Sequence, residues 1–179
     1  MINDSTKQAK KGLKLGINIP GFLAAILGAI SMFFPWWHFG IEIGNDGPSE
    51  IYPYLIDGAA ASMVGYKRSP TMVILSILIV ICLIVILISS LIKSKITIGL
   101  MAGSGVLILL VCWRFYERMK TVSEGYNMPV LGRGTADYGG LAVYEVHNWF
   151  HPGFYLAVIA GVLAILAALF YEKLWIGRK

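Results

Sequence analysis

The stretch Thr71–Arg114 constrains this chain more than any other. Thr71–Ile92 holds no charged residue and is almost solid Ile, Leu and Val. Ile96–Trp113 is a second uncharged run, and only Lys93, Ser94 and Lys95 separate the two. As a helix rising 1.5 Å per residue, the first run covers roughly 33 Å, enough to cross a hydrocarbon layer of about 30 Å. Two spans joined by so short a link must lie antiparallel and adjacent. Lysines in a short connecting turn stay on the cytoplasmic side, so this hairpin sets the orientation of the rest.

Two more spans are expected on either side of it. The first, about Gly16–Trp37, follows a basic tail with Lys7, Lys10, Lys11 and Lys14. Tail and span are laid out like a signal peptide. The apolar part is longer, though, and ends in Pro35-Trp36-Trp37 rather than at small residues, so it reads as a retained helix. The last span begins at Pro152, a favoured first helical position with His151 as its cap, and runs to about Tyr171. Only 14% of the chain is charged, against about 25% in a soluble domain. The expected fold class is an all-α membrane protein. It is a four-helix transmembrane bundle with spans at 16–37, 71–92, 96–113 and 152–171, forming one polytopic domain over 1–179. External loops at 38–70 and 117–151 would form a small extracytoplasmic cap, and both termini would be cytoplasmic in a multi-pass protein of the cell membrane.

Charge supports this orientation. The inner side carries nine basic and two acidic residues, the outer side six basic and eight acidic. The net charge of +5 is thus an orientation signal and an attraction to anionic membrane lipid, which argues against nucleic acid as a partner. Trp36, Trp37, Trp113 and Trp149 all fall at the expected outer interface, where they would serve as anchors.

The loops carry strand signals. Phe39–Ile43 and Ile51–Ile56 flank the turn Gly44-Asn45-Asp46-Gly47-Pro48 and are expected to pair, with Pro53 confining the second to an edge. Leu141–Val146 alternates and would add a strand, whereas the Gly-rich Gly132–Gly140 is expected to be irregular. The third helix would extend beyond the bilayer through Phe115–Lys120. Lipid gives helices no hydrophobic reason to associate, so small residues should mark the packing faces. These are Gly99 and Gly103 on the third span and Gly153, Ala157 and Gly161 on the fourth. The second span, poor in small residues, should face mostly lipid.

Candidate chemistry gathers on the outer side. His38, His147 and His151 all lie there, with Glu145 close to the last two. Neutral imidazole and carboxylate are standard ligands for transition metals, so these four form a candidate metal site. Arg114, following Cys112-Trp113, forms a candidate anion or quinone site with His151. Cys82 and Cys112 both fall within spans and are expected to stay unpaired. The spans have no ionisable residue near the midplane, where ion and proton carriers need one.

Four spans, a tiny cytoplasmic turn and two external loops with strand-like pieces resemble the claudin-like tetraspan group in layout. Phe34-Pro35-Trp36-Trp37 with Gly40 is similar to the aromatic start of that group's first external segment. The group's signature continues with Gly-Leu-Trp and two cysteines, all absent from this chain's external loops. The resemblance implies a β-rich cap on a left-handed bundle, and lateral assembly. The functional expectation is a non-enzymatic assembly, scaffold or interaction subunit, binding other membrane proteins or copies of itself through its loops. The alternative is an outer-face metal-, haem- or quinone-binding redox subunit using His38, His147 and His151. No cofactor is named by sequence.

Overall fold

The computed structural model describes residues 16–40, 48–92, 94–137, 143–171 and 175–176. The basic tail, most of the expected Gly44–Pro48 turn, Lys93, Leu141 and the charged C-terminal residues lie outside them.

Ile17–Asn18 (β1) leads into the helix Ile19–Ser31 (α1). Asn18 caps that helix by accepting a hydrogen bond from the Gly21 N–H at 3.1 Å, and Pro20 occupies its first turn. Its 13 residues cover about 20 Å, less than the expected helix over Gly16–Trp37 and less than a hydrocarbon layer. The helix stops because Pro35 cannot continue it, and Trp37–Phe39 is already a strand (β2). Ser49–Ile51 (β3), Ile56–Asp57 (β4) and the short helix Ala59–Val64 (α2) follow.

Pro70–Leu91 (α3), Lys95–Gly125 (α4) and Pro152–Leu169 (α5) are each long and apolar enough to cross a membrane. Ser94 and Thr97 form a reciprocal capping box that starts α4 immediately after the tight turn. With 31 residues, α4 reaches about 46 Å and projects well past its apolar run. The long helices show their large apolar side chains outward, as at Ile74, Ile77, Ile81, Ile84 and Ile88 of α3. α1 packs against α3 and α5, and α4 packs against the same two.

Small residues make these contacts, though not all the expected ones. Gly28 of α1 faces Leu83 and Ala160, and Gly105 of α4 faces Gly161 of α5. Ala157 is buried, and Gly153 lies against the backbone of Phe34 and Pro35. Gly99 and Gly103 are different: a methyl group added to either would meet nothing within 4 Å. The four-residue spacing predicts a packing face inside the bundle. It instead lies on an open side, and the α4–α5 crossing is made two residues further on.

At one end of the helices an antiparallel sheet forms in the order β4-β3-β2-β6-β5, where β5 is Gly132–Asp137 and β6 is Val143–Phe150. The expected loop pairing holds only in part. β2 is antiparallel to β3, and β6 joins it across the loops. Ile51–Ile56 is not one edge strand, because its two ends lie in β3 and β4 and pair with each other across a turn at Pro53. Residues 41–43 of the expected first strand lie outside the described residues. Gly132–Asp137, expected to be irregular, is a strand because β6 offers a long partner edge. One sheet face buries Trp37, Phe39, Ile51, Ile56, Val146 and Phe150 over the projecting end of α4. At the other end β1 pairs with Trp175–Ile176 (β7). The Tyr171 hydroxyl there donates to the Ile92 carbonyl at 2.8 Å and accepts from the Ser94 N–H at 3.1 Å, tying α5 to the α3–α4 turn.

Candidate metal centre

Strand alternation decides what the second sheet face carries. With Trp37 and Phe39 turned to the core, His38 must point the other way. The register sets Glu50 opposite His38 on β3, Asp57 opposite Glu50 on β4, and Trp149 opposite His38 on β6. Asp57, Glu50, His38 and Trp149 thus form one row across four strands. The His38 imidazole stacks on the Trp149 indole with centroids 3.7 Å apart and planes inclined by 18°.

His151 reaches the row from the end of β6. Its N–H donates to the Trp36 carbonyl at 3.1 Å, and Pro152 begins α5 directly after it. It occupies the N-cap position but its side chain makes no capping bond, so the imidazole remains available. Its ring centroid lies 5.7 Å from that of His38. One donor atom each from His38, Glu50 and His151 lies within 4.8 Å of the others. An ion bonded at about 2.0–2.2 Å needs its ligand atoms within about 4.4 Å of one another, so small side-chain rotations complete the set.

The surroundings favour a cation. His38 is 8% exposed. Burial, and then the neighbouring His151, lower its pKa from 6.5 against the raising effect of Glu50. Its imidazole is therefore held in the neutral form that binds metal. His38 Nδ1 and His151 Nε2 are both buried without a hydrogen-bond partner, the kind of orphaned atom that folded proteins rarely tolerate. The Tyr52 hydroxyl donates to Glu50 Oε2 at 3.0 Å and orients that carboxylate. Burial, and then this bond, push the Tyr52 pKa up, keeping the hydroxyl a donor. Glu50 and Asp57 sit directly opposite as like charges, an arrangement that destabilises a sheet unless a cation offsets it. Gly40 permits the close approach of the chain beside His38, since a Cβ there would lie 2.5 Å from the His147 carbonyl oxygen.

The expected residues fare unevenly. His38 and His151 converge. His147 shares their sheet face but is exposed, and the Trp149 ring packs against it on one side and His151 on the other, with centroids 4.7 and 5.8 Å away. Glu145 lies four residues before Trp149 along β6, about 13 Å away, too far to join His38. Glu50, one of the eight acids of the outer side, takes its place.

The expected pairing of Arg114 with His151 does not form. Arg114 lines a cavity on the core face of the sheet, whereas His151 sits with His38 on the opposite face. Trp36 and Trp37 are not interfacial anchors, because both are fully enclosed, and their indole N–H groups donate to the Ser31 and Val130 carbonyls at 3.1 Å. Trp149 is a shelf for His38, and Trp113 is 62% exposed at the end of the apolar run of α4. The chain matches no protein-family model and no curated protein.

Proposed function

We propose that this is a four-span protein of the cell membrane whose extracytoplasmic sheet binds a divalent transition-metal ion through His38, Glu50 and His151. The convergence of those three donors, two with orphaned buried nitrogens, carries the reading. α1 lies alongside α3 and α5 and so shares their depth as the shortest span. Lys95 at the α3–α4 turn marks the cytoplasmic end, and β1, β7 and Tyr171 gather at that same end. The sheet then lies outside. Two imidazoles and a carboxylate suit zinc or ferrous iron and leave coordination positions open for water or another ligand.

The test uses full-length protein in mild detergent, stripped with chelator and titrated with Zn²⁺ by calorimetry. One ion per chain is expected. His38→Ala, His151→Ala and Glu50→Gln should each weaken binding at least about tenfold, while His147→Ala and Glu145→Gln should leave it unchanged. Binding that is lost in the His147 variant but kept in the Glu50 variant would overturn the assignment.

The assembly reading rests on a different observation, the open face of α4 at Gly99 and Gly103. Small residues on an exposed face let a second helix approach closely. The claudin-like layout points the same way, with its antiparallel sheet set on the helices. We infer a homo-oligomer through α4. Its native mass should exceed that of one chain, and Gly99→Leu should return it to the monomer; a monomeric parent protein would end this reading.

A further inference from the structure

The core face of the sheet roofs a cavity of about 370 Å³, at the low end of the range that takes small ligands. Trp37 and Phe39 line it from the sheet, Met72 and Leu75 from α3, and Phe115 from α4. Arg114 and Arg118, one turn apart on α4, also line it. Both arginines are exposed, and neither makes an ion pair or hydrogen bond among the described residues. The described residues lining the cavity include no carboxylate. The space is thus apolar within, with an uncompensated pair of positive charges.

Its depth identifies the source of a ligand. The charge-free run of α3 begins at Thr71 in the cavity wall, and that of α4 ends one residue before Arg114, also in the wall. The cavity therefore sits where acyl chains give way to headgroups. Guanidinium groups bind carboxylate and phosphate through paired, charge-assisted hydrogen bonds. An acyl chain entering from the bilayer would fill the apolar interior and bring its head to Arg114 and Arg118.

We propose that this cavity binds a single-chain anionic amphiphile of fatty-acid type, drawn from the surrounding membrane. The inference is independent of the metal site, which lies on the other face of the sheet. Contact quenching tests it, because Trp37 forms part of the wall. Full-length protein in phosphatidylcholine nanodiscs is titrated with a long-chain fatty acid brominated at mid-chain. The expected result is a saturable component of tryptophan quenching at one ligand per chain, above the non-saturating quenching of exposed Trp113, and that component is absent in Trp37→Phe. Arg114→Gln with Arg118→Gln should weaken binding at least tenfold for the acid and leave a brominated alcohol of equal length unaffected. Leu75→Trp, which fills the cavity, should abolish the saturable quenching that unlabelled hexadecanoate competes away in the parent protein. Near-ultraviolet circular dichroism confirms that each variant is folded. Quenching that never saturates, or equal binding of acid and alcohol, or indifference to the arginine pair in folded protein, would overturn the proposal.

Discussion

His38 lies flat on Trp149, their ring centroids 3.7 Å apart across the β2–β6 pair. The two residues are direct cross-strand partners, so the sheet register itself delivers the stack. Trp149 also contacts His147 and His151 and so separates the exposed histidine from the two that converge. An indole shelf restricts the rotation of His38 and keeps it facing Glu50 and His151. Trp149→Ala removes that restriction without removing a ligand. Zn²⁺ affinity should fall about tenfold, the lower end of what outer-shell partners contribute, and Trp149→Phe should recover most of it. Calorimetric titration of the three proteins decides; equal affinity in all of them would show the shelf to be irrelevant.

Tyr52 acts on the same site from the other side. Its hydroxyl donates to Glu50 Oε2, leaving the other carboxylate oxygen for an ion. Tyr52→Phe keeps the ring and deletes only that bond. The expected loss is about 10- to 100-fold in Zn²⁺ affinity. Tyr54→Phe is the matched control, since its ring neighbours Tyr52 but no hydrogen bond links it to Glu50. A similar loss in both variants would point to loop packing rather than to orientation of Glu50.

The helices were more legible than the sheet, for a physical reason. Membrane-spanning helices satisfy their backbone locally, so Thr71–Ile92 announces itself by composition alone. Strand pairing needs a partner, and Gly132-Arg133-Gly134 offers no alternation from which to infer one. It becomes a strand only because β6 is long enough to receive it. Glu50 is not legible along the chain for a related reason: a metal site on a sheet is written in register, not in spacing. His38 and His151 stood out by residue type, whereas Glu50 looked like any loop carboxylate. Gly99 and Gly103 show the converse failure. Four-residue spacing tells that two glycines share a helix face, but not what that face meets.

Acid should release the ion, with a sign set by His38. Burial and His151 hold its pKa below 6.5, so in the metal-free fold it stays neutral below the point where a free imidazole would protonate. Protons compete with metal only below that lowered pKa. Zn²⁺ affinity should therefore change little, as far as His38 is concerned, as pH falls to about 6.5. Below the folded pKa it should drop about tenfold per pH unit for this residue. Titrations at stepped pH check this. The same titration on His38→Ala isolates its share, and a pH slope left unchanged by that substitution would exclude His38 as a ligand.

Gly105 and Gly99 lie six residues apart on α4 and should respond oppositely to alanine. A Cβ at Gly105 would stand 2.7 Å from the Gly161 carbonyl oxygen and 2.9 Å from an Ile165 side-chain carbon. The obstruction at Gly161 is backbone, so α4 and α5 must separate to admit it. Overpacking of this kind costs about 1–3 kcal/mol. At Gly99 and Gly103 a methyl group meets open space, and alanine is the better helix former by about 1 kcal/mol. Thermal unfolding in detergent should therefore show Gly105→Ala melting below the parent at every protein concentration. Gly99→Ala should melt at or above the parent once dilution has separated the subunits, and below it at concentrations where the proposed α4 interface is filled. A drop in Gly99→Ala independent of concentration would mean that α4 is rotated from the position described.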